Sequence, residues 1–352
     1  MKRIIALLLA LALLAGCAQT IPVSEPEIIV IDAETMEPIQ ESTAESLEAP
    51  LQIVTTIFPS FDFIRQIAGD RVELTMLLSP GAESHSFEPT PRDMVTLSNA
   101  DLFIYVGGHS DTWVHPILES LERTDMRTVA LMDLVNTLWE DHGDHHHHDD
   151  HDHDHDDHHH HDDHEHDHDD HHHHDEPQLD EHVWTSPINA IMITSTLTDV
   201  LAETDPANAD YFRANAYAFI QELGALDQAM AQMTANSIRN TVVFGDRFPF
   251  IYLTESFHLN HYSAFVGCSS ETQASPATVA FLIEKVRDEH IPVVFYIEFS
   301  DQSIANVIAE ATGARTLELH SAHNVSQADF DAGITYLEIM YRNMEHLREA
   351  LN

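Results

Sequence analysis

The histidines of this chain fall into two kinds. Between Asp141 and Glu176, 19 of the chain's 29 histidines are threaded with carboxylates, and Gly143 is the only other residue. Three runs stand out: His145, His146, His147 and His148; His158, His159, His160 and His161; and His171, His172, His173 and His174. Near neutral pH an uncharged imidazole offers nitrogen to zinc, copper, nickel or cobalt, and the interleaved carboxylates attract cations. The tract has no apolar residue, so burial cannot offset the entropy of ordering it; a disordered metal-collecting loop is expected. The plain alternative is an acidic solvated loop.

The second kind sits where a fold could hold it still. His85 lies in SPGAESHSFEPTP, a loop stiffened by prolines directly after a strand-like run. His182, in Asp180-Glu181-His182-Val183-Trp184, precedes a helix, and His320 and His323 end the last strand-like run. Asp246 and Glu255 flank the first helix of the second half. Three or four such N/O ligands from different loops would make a tetrahedral zinc site or a manganese-type site. His258, His261, His290 and His346 read as surface or packing residues, and His109 and His115 as solvated ones. Cys268 reads as a small, semi-buried side chain rather than a thiolate ligand.

Ligands this far apart in the chain need a scaffold, and short β-rich runs alternate with helical ones from Leu51 onward. Strands are expected at Gln52–Ile57, Val72–Leu78, Leu102–Val106 and Thr128–Leu131, then at Thr241–Phe244, Tyr262–Val266, Pro292–Ile297 and Arg315–Leu319. Between the two sets, Asp205-Pro206 is expected to open a helix of about 45 Å running to 236, striped by Phe212, Ala216, Phe219, Leu223, Leu226, Met230 and Met233. The last helix is expected over Ala328–Leu347. Alternating βα units imply an α/β fold of two Rossmann-like lobes with parallel sheets, joined by a long rigid helix, with a metal site in the cleft between them. The expected division is an N-terminal lobe over 51–140, the His/Asp loop over 141–176, the end of that lobe and the linking helix over 177–238, and a C-terminal lobe over 239–352.

The N-terminus reads as an address. Lys2 and Arg3 precede the apolar run Ile4–Ala15, too short for a permanent bilayer span. Leu14-Ala15-Gly16-Cys17 resembles the lipobox of bacterial lipoproteins, which implies a signal peptide over 1–16, lipid on Cys17 and an extracytoplasmic, membrane-tethered protein. Residues 17–50, rich in Glu, Pro, Ser and Thr, read as a flexible tether. The formal charge is −45 with only 15 Lys and Arg; about a third of it sits in the His/Asp tract. That balance argues against nucleic-acid partners and favours cationic ligands. No His-Glu-x-x-His, paired-metal carboxylate cluster or Gly-x-Ser-x-Gly is present, so no enzymatic activity is expected.

SPGAESHSFEPTPRD, Ser79–Asp93, resembles the signature of the metal-binding lipoproteins that feed ABC-type zinc and manganese importers. Asn99-Ala100-Asp101-Leu102 with Gly107 and Trp113, the acidic His-rich loop, and Glu181-His182-Val183-Trp184 with Pro187 are similar to that family's pattern in the same order. The resemblance implies His85 and His182 as the first two ligands. Where the family has a third histidine in H-D-A-(F/Y), this chain has Gly245-Asp246-Arg247-Phe248; where the family has a terminal acid, it has Leu317-Glu318-Leu319-His320. The expected set is therefore His85, His182 and His320, with His320 replacing the missing imidazole and Asp246 or a water completing the shell. The resemblance further implies a monomeric carrier of Zn²⁺, with Mn²⁺ less suited to so many imidazoles, serving an ABC permease. The alternatives are a manganese-importing homologue and an extracellular metal store or adhesin in which the tract is the main binding element.

Overall fold

The structure is a computed structural model and describes residues 49–83, 87–121, 125–140, 178–265, 267 and 274–352. In the first half, β-branched and aromatic runs form strands and Pro-led or amphipathic stretches form the helices that cross over them. The order is β1 (Leu51–Thr55), α1 (Phe58–Ala68), β2 (Val72–Met76), α2 (Pro91–Ser98), β3 (Leu102–Tyr105), α3 (Val114–Ser120) and β4 (Arg127–Ala130). Two helices follow the His/Asp tract, α4 (Pro187–Thr204) and α5 (Ala209–Ala235). The second half runs β5 (Thr241–Phe244), α6 (Ile251–Ser256), β6 (Asn260–Ser263), α7 (Pro276–Asp288), β7 (Val293–Tyr296), α8 (Ser303–Thr312), β8 (Arg315–Glu318), α9 (Gln327–Asp331) and α10 (Tyr336–Leu351).

The strands make two four-stranded sheets, ordered β2-β1-β3-β4 and β6-β5-β7-β8, and every pairing is parallel. In each sheet the chain reverses direction of growth after its second strand. A crevice therefore opens at the carboxyl ends of β1 and β3, and of β5 and β7, where α/β sheets present ligands.

Local chemistry explains most boundaries. Thr90 and Asp93 form a capping box on α2, Ser275 accepts the Thr278 N–H to start α7, and Gly313 closes α8 with φ +83°. Two expectations are corrected. Asp205-Pro206 does not open the long helix; the Asp205 carboxylate accepts the Asn208 side-chain N–H at 2.7 Å in a preceding turn, and α5 starts at Ala209. The expected final helix is two helices, because Gly333 (φ +75°) ends the path of α9 and Thr335 with Glu338 makes a fresh capping box for α10. The predicted stripe of α5 is buried from Phe212 through Met233 over a helix of about 40 Å.

One buried cluster runs through both halves, from Ile53 and Phe63 on one side to Phe244, Phe295 and Tyr336 on the other. Directed bonds tie it together. The buried Asp62 accepts the Tyr336 N–H at 2.7 Å, the Tyr336 hydroxyl donates to the Trp184 carbonyl at 2.6 Å, and Trp184 Nε1 donates to the Ser321 carbonyl at 2.8 Å. The segment after β8 is sewn to the first half as well: Asn324 Nδ2 donates to the carbonyls of Ser79 and Ala82, and Gly81 N–H donates to the Val325 carbonyl. Among the described residues, no helix is long and apolar enough to cross a membrane.

Candidate metal centre

A cavity of about 80 Å³ opens at the carboxyl ends of β5, β7 and β8 and is faced by the loop after β2. His182, Asp246, Glu298 and His323 line it, together with Glu83 and Arg247. This is the crevice that the parallel topology predicts.

His182 is buried at the start of the segment that leads into α4. Asp180 accepts its backbone N–H at 2.8 Å and faces its Nδ1 at 3.2 Å. With Nδ1 donating to that carboxylate, Nε2 carries the lone pair, the usual way of fixing the tautomer of a ligating imidazole. Burial works against the imidazolium, but the carboxylates of Asp180, Glu181 and Glu140 outweigh it and hold the pKa above its ordinary value. Tyr252 anchors this segment: its hydroxyl donates to the Asp180 carbonyl at 2.6 Å and accepts the Leu138 N–H at 3.1 Å, and burial pushes its pKa up to about 12.

His323 follows β8 and approaches from the other half. Its ring lies 5.5 Å from that of His182 and 5.0 Å from that of Trp184. Its carbonyl accepts the Phe58 N–H, so α1 of the first half helps to set its position. Ala322, beside it, has φ +61° while fully buried, a left-handed conformation that turns the chain between the two histidines of His320-Ser321-Ala322-His323. Glu298 is buried in the loop after β7, where it accepts the Ser321 N–H at 2.7 Å and the Ser321 hydroxyl.

The sequence-predicted residues are divided by this geometry. His182 and Asp246 line the cavity; His320 does not. The Nδ1 of His320 accepts the Ala322 N–H at 2.9 Å and lies 3.6 Å from Glu298, while Asn343 brackets its backbone on both sides. Asp246 is half-buried, its two oxygens accepting the N–H of Arg247 at 2.8 Å and of Ile297 at 3.3 Å, which ties the end of β5 to the end of β7. His85, Cys17, Cys268 and the histidines of 141–176 lie outside the described residues. Among the described residues, no three His, Cys, Asp or Glu side chains by themselves form a group able to hold a metal ion.

Gly245 has a steric reason. A Cβ at this position would overlap the backbone and side chain of Ala305 on α8, so the helix occupies the space a larger residue would need. Sequence reasoning missed Glu298 altogether, although an acid placed just beyond a strand, in Tyr296-Ile297-Glu298, is the available signal.

The chain enters and leaves the His/Asp tract at adjacent points. Trp139 and Leu179 form an antiparallel bridge, Glu140 N–H donates to the Gln178 carbonyl and Asp180 N–H to that of Leu138. The tract is thus inserted only a few residues before His182.

Two parallel sheets with a cavity at their strand ends, faced by both halves, have the architecture of two-lobed α/β solute-binding proteins. The family model described as "Zinc-uptake complex component A periplasmic" (ZnuA) matches residues 53–350, and the chain belongs to that family, whose members are transport components rather than enzymes. It is 29% identical over 311 residues to the zinc-binding lipoprotein AdcA of Streptococcus pneumoniae, covering 88% of this chain and 57% of AdcA. It is 28% identical over 314 residues to the high-affinity zinc uptake system protein ZnuA of Bacillus subtilis, covering 88% of this chain and 91% of that protein. The crystal structure of the Zn(II)-bound ZnuA-like domain of the pneumococcal AdcA is similar with a TM-score of 0.67 at 26% identity, over 86% of this chain and 99% of the domain. The chain spans little more than half the length of the AdcA proteins it matches.

Proposed function

We propose that this protein captures Zn²⁺ outside the cytoplasm and delivers it to an ABC-type import permease. The observation that carries this reading is the convergence of His182, His323, Glu298 and Asp246 on one cavity at the strand ends. Two imidazoles and carboxylate oxygens suit zinc better than the harder manganese ion. Zinc would take Nε2 of His182 and an imidazole nitrogen of His323. His85, from the family-like loop signature, would supply a third nitrogen, and a water, or Glu298 or Asp246 turned further toward the ion, would complete the shell. His323 takes the part that the sequence suggests for His320, which is turned to Ala322 and Asn343 instead.

In this reading residues 1–16 are a signal peptide, Cys17 carries the lipid anchor, and 17–50 hold the lobes off the membrane. The protein acts as a monomer. The tract of 141–176, rooted beside His182, would raise the local concentration of zinc at the cavity mouth. The test is competitive zinc and manganese titration on the lobes from Leu51, with and without Asp141–Glu176. One tight zinc per chain in both forms, with manganese far weaker, is expected. Loss of the tight site with the tract would make the protein a metal store and sink the carrier reading.

A further inference from the structure

A cavity proposed for a dication contains a permanent positive charge. Arg247 lines it, and among the described lining residues it is the only Lys or Arg, in a chain with 15 such residues among 352. Its guanidinium cannot lose its proton at any working pH. Arg247 belongs to the segment after β5, and its Nη1 reaches across to Glu83 of the loop after β2, 3.6 Å from Oε1. The backbone it grows from is fixed, because Asp246 holds the Arg247 N–H with one oxygen and the Ile297 N–H with the other.

We infer that Arg247 sets how tightly and how long the cavity holds a divalent cation, acting as a tethered like charge whose repulsion Glu83 partly cancels. The inference rests on the zinc-capture reading above and adds to it a residue that does not ligate. As a purely structural ion pair, Arg247–Glu83 would contribute little, since the side chains are 26% and 50% exposed and such pairs are weakened by water. Toward a doubly charged ion in the same cavity the guanidinium acts at twice the charge product, in a place less screened than open solvent. A carrier must release its cargo as well as bind it, and a fixed positive charge beside Asp246 and Glu298 favours release.

The test uses the full chain and four variants: Arg247→Gln, Glu83→Gln, the double variant, and Arg247→Lys, which keeps the charge. Zinc release from the tightest site is followed by stopped flow against a chromophoric chelator, with affinity from competition by the same chelator. Arg247→Gln is expected to bind zinc about tenfold more tightly, mostly through slower release, and Glu83→Gln about tenfold more weakly. Arg247→Lys should stay near the parent. The double variant should fall between the two single ones, because both charges are gone. The differences should shrink in high salt, where the Debye length falls to a few ångströms. Unchanged or weaker binding in Arg247→Gln overturns the inference. So does weakening in both single variants, which would mark the pair as a structural clamp. If the parent shows no tight zinc at all, the zinc-capture reading itself falls and this inference with it; a tight parent site indifferent to Arg247 removes only the inference.

Discussion

The imidazoles of His182 and His323 stand edge to face, ring centroids 5.5 Å apart, although one precedes α4 and the other follows β8. Both are buried; the His323 carbonyl accepts the Phe58 N–H of the first half, and Trp184, two residues beyond His182, donates to the Ser321 carbonyl of the second. His323→Ala is therefore expected to weaken zinc binding by at least about a hundredfold, more than the loss of a supporting residue costs. His320→Ala, which removes a side chain that accepts the Ala322 N–H, should change zinc affinity much less and lower the melting temperature instead. Isothermal titration and thermal melting on the two variants check this; equal losses of affinity would return His320 to the site.

Asp180 orients His182 and raises its pKa against the effect of burial. Zinc needs the neutral ring, so a raised pKa lets protons compete at a higher pH than for an ordinary histidine. Zinc affinity should fall as pH drops through a value above 6.5. Asp180→Asn should move that fall to lower pH and, by loosening the ring, reduce affinity about 10- to 100-fold at neutral pH. Chelator competition across pH values from about 5.5 to about 8, which bracket the ordinary histidine range, reads both effects.

Gly245 cannot be repaired into a ligand. Gly245→His, which would restore the imidazole of the family pattern, places a Cβ against the backbone of Ala305. It should lower the melting temperature without tightening zinc binding, and Gly245→Ala should already destabilise by about 1–3 kcal/mol in denaturant unfolding. A more tightly binding, fully stable Gly245→His protein would show that α8 can yield.

Asp111 is buried, and that burial, assisted by the nearby Glu181 charge, pushes its pKa up to about 6 despite hydrogen bonds from the N–H groups of Val106 and Gly107. The folded value lies above the unfolded one of 3.8, so the native state keeps a proton that the unfolded chain releases. The resulting stabilisation is complete below pH 3.8 and is lost as pH rises through 6. Asp111→Asn can still accept the two N–H groups and does not titrate. Its stability relative to the parent should rise between about pH 4 and about pH 7, by on the order of 3 kcal/mol. A pH-independent difference in unfolding free energy would contradict the assignment.

Composition and local periodicity alone determined a good deal. The alternation of β-rich and helical runs implied parallel α/β lobes, the 3–4 spacing from Phe212 to Met233 implied the long buried helix, and the imidazoles implied metal chemistry, because each is a property of neighbours along the chain. Helix ends were less legible at Asp205 and Gly333, where a turn competes with a cap within a few residues. The different placements of His320 and His323 were decided only by the tertiary structure. They are three residues apart in the same strand-end segment, and the left-handed turn at buried Ala322, held by bonds to the other half, leaves one against Asn343 and the other beside His182. Glu298 and Gly245 were decided the same way, one by Ser321 and the other by the backbone of α8, because steric overlap and hydrogen bonding between segments distant in sequence leave no periodic trace in either.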